Sequence, residues 1–295
     1  MAFESLEEII ERCTEENKDF WLVVMEDDMH ERGITQEASL AQMEKTWDAM
    51  LHAASTYDAN LRSASNMAGG DGAKMKEYLD KEGDDTLCGS YMTEVIQGAI
   101  EMGESNACMK RIVAAPTAGA CGVLPAVLVP WFKRHGDTDK IIKALYVSAG
   151  IGQVIAHRAS ISGAQGGCQA EIGSASAMAA AALVSLKDGN TDQMIHASAM
   201  ALKNLLGLVC DPVAGLVEVP CIKRGVIGAV NAMSSADMAL AGIESHIPAD
   251  QVIDAMREIG DKMDTSLKET ALGGLASTPA GAEAKEKFQK SILNR

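Results

Sequence analysis

GAQGGCQAEIGSASAMAAAALVSLK, residues 163–187, joins two kinds of sequence. Its first part is glycine-rich around Cys168. Its second part is a run of Ala, Met, Leu and Ser with neither glycine nor proline. Alanine, leucine and methionine are strong helix formers, and few β-branched or aromatic strand formers gather here. The reading is a glycine-punctuated loop followed by an apolar helix over 175–187. The same alternation recurs on both sides. Glycine-bearing loops stand at APTAGACGVLP (115–125), ASISGAQGGCQAEIGSAS (159–176) and CDPVAGLVEVPC (210–221). Further apolar helices are expected over 141–157, 192–207, 228–242 and 249–263. The last has clear signals: Pro248 near its start, apolar residues at 249, 252, 253, 256 and 259, and Gly260 near its end.

Ahead of this region the chain reads as amphipathic helices. In SLEEIIERCTEENKDFWLVVMEDDMHERG (5–33), Leu6, Ile9, Ile10 and Cys13 recur at helical spacing, and Ser5 with Glu8 has the pattern of a capping box. Thr35 to Tyr57 is a second run, carrying Leu40, Met43, Trp47, Met50 and Leu51. Glycines and small polar residues in SASNMAGGDGAKMKEYLDKEGDD (63–85) interrupt it before another short helix. A soft boundary falls at Gly83-Asp84-Asp85, dividing a helical N-terminal part, 1–86, from residues 87–295. The C-terminal KEKFQKSILNR (285–295) reads as a frayed tail. The fold class is therefore all-α: a helical N-terminal part packed on a glycine-loop, helix-rich core, which one continuous domain also accommodates.

Composition agrees with this reading and removes several functions. The 295 residues are 47% apolar but only 4% aromatic, so alanine, methionine and glycine fill the interior and let helices approach closely. A formal net charge of −15 leaves no basic face for nucleic acid or an anionic membrane. No apolar run has the length of a spanning helix, since the alanine-rich stretch is too short and too small-sided. Seven cysteines, an odd number without a preceding signal-peptide pattern, place the chain in a reducing cytoplasm, where cysteines more often bind metals or react than form bridges.

Three of the seven, Cys168, Cys210 and Cys221, stand in the glycine-bearing loops. Three thiolates on a [4Fe–4S] cluster leave one iron open to a substrate oxygen, the same logic as an open catalytic zinc site. Their spacing matches no short ferredoxin run, so spacing alone leaves two readings open: cluster ligands, or small buried hydrophobes. Cys13, Cys88, Cys108 and Cys121 are read as the latter.

Longer segments are more specific. GAQGGCQAEIGSASAMAAAALV (163–184), KNLLGLVCDPVAGLVEVPCIKR (203–224) and APTAGACGVLPAVL (115–128) closely resemble signature segments of the iron–sulfur-dependent L-serine dehydratases. They are most similar to the separate alpha chain of the two-chain enzymes. MAGGDGAKM (67–75), NAMSSADMALAGIESHIP (231–248) and ETALGGLASTPAG (269–281) extend the resemblance over nearly the whole chain. It implies a lyase that converts a small amino acid, serine, to pyruvate and ammonium. It also implies a [4Fe–4S] cluster on Cys168, Cys210 and Cys221, with the fourth iron serving the substrate, and a separate beta chain as partner. Two departures bear on substrate preference. Gly225 stands where an Asn is expected after Cys221-Ile-Lys-Arg, and His157-Arg158 where paired asparagines are usual.

β-Elimination needs a base for the Cα proton and donors for the substrate carboxylate. Thr117 with the Gly119–Gly122 backbone, and Ser160 with Ser162, are the candidate donors; ordinary turn chemistry is their other reading. His157, at the edge of a site loop, is the candidate base, or else a structural histidine. By resemblance Gly69, Gly70 and Asp71 bind substrate, although a bare Gly-Gly-Asp is only a turn signal. Lys223 and Arg224 either balance site charge or sit exposed at a helix end. Glu171 and Asp211 flank cysteines and either orient a ligand or cap a helix, the cap being the favoured reading. Three rivals remain: L-threonine or L-cysteine as substrate, a non-catalytic cluster-binding subunit, and a pyridoxal-phosphate enzyme, which would need a strand-rich α/β pattern that is missing here.

Overall fold

In the computed structural model, which describes residues 3–293, the chain folds into thirteen α-helices, and no named strand occurs among the described residues. They are α1 (Leu6–Glu15), α2 (Phe20–Arg32), α3 (Gln36–Ser55), α4 (Asp71–Glu82), α5 (Gly89–Ala107), α6 (Val123–His135) and α7 (Thr138–Arg158). After these come α8 (Gly163–Gly166), α9 (Ser174–Leu186), α10 (Thr191–Lys203), α11 (Cys221–Leu240), α12 (Ala249–Lys262) and α13 (Pro279–Leu293). The expected all-α class holds. No helix among the described residues is long and apolar enough to cross a membrane.

The alanine-rich helix is the centre of the molecule. Every residue of α9 from Ser174 to Val184, and Leu186, is buried. α9 packs against α6, α7, α10 and α11, and its small side chains leave room for all four. Two of the hydroxyls that face this interior find carbonyl partners, as most buried polar groups do. Ser148 of α7 donates to the Met178 carbonyl at 3.1 Å, and Ser176 donates to the Gly228 carbonyl at 2.8 Å.

The N-terminal helices close over this centre. α1 lies on α10 and α12, α2 on α7, and α3 on α5, α6 and α7. Leu6, Ile9, Trp47 and Met50 are buried against the chain's own core, in an apolar cluster that runs from Phe3 to Met256. Ser5 accepts the Glu8 amide as its spacing predicts, but Glu8 reaches back to the Glu4 amide rather than to Ser5. A complete capping box occurs instead at Asn190 and Gln193, opening α10.

Trp47, 2% exposed, meets Phe132 edge-on with ring centroids 5.3 Å apart. This contact ties α3 to α6. Trp47→Ala is expected to cost about 3–5 kcal/mol, the range for emptying a buried aromatic site. Urea unfolding of the two chains measures it, and a loss below about 1 kcal/mol would show that α3 contributes little to the fold.

Several boundaries differ from expectation, most of all those of α10, α11 and the C-terminal segment. α10 stops at Lys203 rather than 207, because Gly207 turns into the left-handed region (φ +83°) and ends the helical run. α11 begins at Cys221 rather than 228. Residues 222–227, expected in neither a loop nor a helix, continue the helix. At Gly228 a Cβ would stand 2.9 Å from Ile172 and 3.0 Å from Val123, so glycine there permits close helix packing. The C-terminal segment forms α13, which rests on turns 213–215 and 274–277; Asn294 and Arg295 of the expected tail lie outside the described residues.

Candidate active site

The loops around Cys168, Cys210 and Cys221 are gathered by a few long-range bonds. Cys168 opens a single π-helical turn, Gln169–Gly173, that leads into α9. Gln169 is fully buried. Its amide donates to the Leu208 carbonyl at 2.9 Å, its side-chain oxygen accepts the Gly207 amide at 2.8 Å, and its side-chain nitrogen donates to the Met256 carbonyl at 3.0 Å. This one residue pins the loop before Cys210 to the start of α9. Cys210 is extended, donating its amide to the Leu267 carbonyl and accepting the Glu269 amide, each at 2.8 Å. The segment before α13 thereby becomes a wall of the site.

Cys221 is the first residue of α11 and not a loop residue as expected. Two of the three thiols therefore stand at the start of helical runs, where unpaired amides and the helix dipole favour negative charge. Arg224, one turn into α11 and 15% exposed, donates to the Val209 carbonyl at 2.8 Å and pairs with Asp211 at 2.8 Å. Asp211 in turn accepts the Leu275 amide at 2.7 Å, which ties the 274–277 turn to the Cys210 loop, and it also holds Arg224. Lys223 points outward to Asp71 at 2.6 Å. The choice left open for this pair resolves residue by residue: Arg224 inward, Lys223 outward.

The electrostatics show that the three thiols share one environment. Burial pushes Cys168 and Cys221 up to about 12, and Cys210 also rises through burial first. Neighbours then add to burial. Cys221 and Glu171 raise Cys168, Cys210 and Glu171 raise Cys221, and Cys168, Glu171 and Glu269 raise Cys210. Arg224 opposes the rise at all three, and it hydrogen-bonds Cys168. Cys121 is different: it too is pushed up to about 12, but by burial with no charged neighbour, and its thiol meets the Met102 carbonyl. It is a core residue.

Glu171 emerges as the carboxylate of this site. The π turn does not leave it capping a helix; its Oε1 accepts the Thr117 hydroxyl at 2.7 Å. Gly119 and Gly163 leave the space it occupies, since a Cβ would lie 2.9 Å from Oε1 at the first and 2.7 Å from Oε2 at the second. At Gly163 the same Cβ would be 3.1 Å from Cys210 Sγ and 3.2 Å from Glu269 Oε2. Thr117, Gly119, Gly163, Glu171, Cys210 and Glu269 thus converge. Desolvation raises the Glu171 carboxyl, with Glu269 adding to it and the Thr117 hydroxyl opposing it.

The other expected residues are placed as follows. Ser162 precedes Gly163, and among the described residues its hydroxyl makes no hydrogen bond. Ser160 is engaged in turn chemistry, donating to Gln165 at 2.8 Å and accepting the Ser162 amide at 3.0 Å. His157 is exposed on the last turn of α7, and no hydrogen bond or ion pair joins it to the thiols or to Glu171. Arg158 beside it holds Asp254 at 2.8 Å. Gly69, Gly70 and Asp71 open α4, and the amides of Gly69 and Asp71 point at the buried carboxylate of Glu104, 3.2 and 2.8 Å away. Among the described residues no three His, Cys, Asp or Glu side chains form a group suited to a metal ion.

The fold and this centre define an all-α protein with two buried thiols and one half-buried thiol gathered near a carboxylate. The model of a family described as "Serine dehydratase alpha chain" matches residues 8–276. A probable L-serine dehydratase alpha chain of Bacillus subtilis (strain 168) is 44% identical over 287 residues, 97% of this chain and 95% of the relative. The L-serine dehydratase alpha chain of Peptoniphilus asaccharolyticus is 41% identical over 284 residues, 96% of this chain and 97% of the relative. L-serine dehydratase 2 of Escherichia coli (strain K12) is 45% identical over 181 residues, 60% of this chain but 40% of that longer one. The chain belongs to the serine dehydratase alpha-chain family, and it is an enzyme.

Proposed function

We propose that the chain is the alpha chain of an L-serine dehydratase that eliminates water from serine, yielding pyruvate and ammonium, with a [4Fe–4S] cluster on Cys168, Cys210 and Cys221. The observation that carries this reading is the convergence of Thr117, Glu171, Cys210 and Glu269 around Gly163, with Arg224 of the Cys221 helix tied to the Cys210 loop. The donor set fits a cluster. Each thiolate of such a cluster takes its own iron, so the sulfurs surround a group larger than one ion and need not converge on a point. Thiols held this far above neutrality stay protonated until a cation displaces the proton, and coordination ionises them outright. When bound, the cluster supplies a Lewis-acidic iron that helps the serine hydroxyl leave.

The remaining steps fall to the chain's own groups. Thr117 fixes Oε1 of Glu171 and leaves Oε2 facing Gly163 and Cys210; we assign to Oε2 the removal of the Cα proton. Burial raises this carboxyl above its ordinary value, the direction that makes it a stronger base. The unpartnered Ser162 hydroxyl and the amides at the start of the 118–120 turn receive the substrate carboxylate. The 2-aminoacrylate released then tautomerises and hydrolyses without further catalysis. A separate beta chain completes the enzyme, and the cytoplasm, with its reduced thiols, is the compartment that suits it.

The test is to mix the anaerobically reconstituted chain with its separately purified beta chain and follow pyruvate from L-serine. The mixture is expected to turn over at well above the rate of either chain alone. No pyruvate from the mixture would defeat the reading, and an equal rate from this chain alone would remove the partner from the chemistry.

A further inference from the structure

We infer that Glu104 is a positioning residue of this active site, a buried anion that holds the Ser63–Asp71 loop against the Cys221 end of α11. The inference rests on the dehydratase reading above.

Glu104 lies in the last turn of α5 and is 2% exposed. Four donors meet its two oxygens. Oε1 accepts the amides of Gly69 at 3.2 Å and Asp71 at 2.8 Å. Oε2 accepts the Gly72 amide at 3.2 Å and the Tyr57 hydroxyl at 2.5 Å. Neither oxygen is left without a donor, so the carboxyl group is fully engaged by the loop. No Lys or Arg pairs with it among the described residues; amides at the start of α4 provide the compensation, as at any anion bound by a helix N-terminus. Gly69 and Gly70, with φ of +122° and +85°, supply the left-handed backbone that turns these amides inward.

A buried charge is an unfavourable way to fill space, and an apolar side chain of similar volume commonly serves stability better. What the charge supplies is the closed geometry of the loop, and that loop leans on the cysteine. The hydroxyls of Ser63 and Ser65 donate to Glu218 at 2.8 and 2.5 Å, and Asp71 binds Lys223 at 2.6 Å. Glu218 and Lys223 bracket Cys221. The same turn of α5 reaches the other wall of the site. Asn106 donates to the Ala118 carbonyl at 3.1 Å, between Thr117 and Gly119, and a Cβ at Gly103 would stand 3.0 Å from Ile222. One helical turn therefore sets the distance between the Cys221 loop and the turn that holds Glu171. Glu104 reaches no reacting group directly, so it acts on how substrate is seated and not on the proton transfer.

The test uses the reconstituted chain with its beta chain, as wild type, Glu104→Gln and Tyr57→Phe, read by hydrogen exchange, cluster absorbance and serine kinetics. Glu104→Gln is expected to speed exchange at Gly69, Asp71 and Gly72 at least about tenfold, leave α9 protected, and leave the cluster absorbance unchanged. It should raise KM about tenfold while kcat moves by less than about threefold. Tyr57→Phe, which keeps the carboxylate and removes one donor, should fall between the two. Unchanged exchange in Glu104→Gln, or faster exchange with KM unchanged, overturns the inference, as does wild-type exchange and KM in Tyr57→Phe if the Gln variant fails to fold. A wild type that makes no pyruvate defeats the dehydratase reading itself, which separates the two failures.

Discussion

Cys168→Ser, Cys210→Ser and Cys221→Ser are each expected to lose the cluster and at least about a thousandfold in turnover. Lewis-acid assistance is worth several kcal/mol of transition-state stabilisation, and about 1.4 kcal/mol corresponds to tenfold in rate. Serine is nearly isosteric but gives a far poorer ligand, so the fold should survive while the cofactor does not. Cys121→Ser is the control. Cys121 is as deeply buried as Cys168 and Cys210, and its thiol is pushed up to about 12, but by desolvation with no charged neighbour. Its loss should cost about 1–2 kcal/mol of stability and leave iron content unchanged. Iron analysis beside activity checks all four variants. Retention of the cluster in Cys168→Ser together with its loss in Cys121→Ser would show that the ligand set is misassigned.

Glu171→Gln should lower kcat by about 10²–10⁴, the usual contribution of a positioned base, with iron content unaltered. The amide keeps an oxygen for the Thr117 hydroxyl and fills the same space against Gly119 and Gly163, so packing should not explain the loss. Thr117→Ala frees the carboxylate without removing it and should cost much less, about tenfold. Turnover within threefold of wild type in Glu171→Gln would remove this residue from the proton transfer. Loss of iron instead would make it part of cluster assembly.

The fold was legible in the sequence where its causes are local. Alanine-rich α9 and the amphipathic pattern of α12 declare themselves through composition and period, and α12 spans Ala249–Lys262 where 249–263 was expected. α11 was expected to start only at 228, and the close approach of Ile172 and Val123 that a glycine at 228 permits is not written in the local sequence. The site was legible as cysteines in glycine-rich sequence and as a family resemblance, but its wiring was not. Glu171 beside Cys168 reads as a cap, yet the π turn aims it at Thr117, 54 residues away in sequence. Gln169 carries no mark of the three bonds that tie Leu208, Gly207 and Met256 together. The Gly69-Gly70-Asp71 amides read as free donors for a substrate until Glu104, 35 residues beyond Gly69, is seen to take two of them. Each surprise involves a partner distant in sequence, which no local pattern encodes.

The most direct test of the central claim is one anaerobic preparation of the chain with its beta chain, analysed for iron, sulfide, pyruvate and ammonium together. The account predicts about four irons and about four sulfides per alpha chain, with pyruvate and ammonium formed from L-serine in equal amounts. A preparation that releases pyruvate from serine while holding no iron would contradict it.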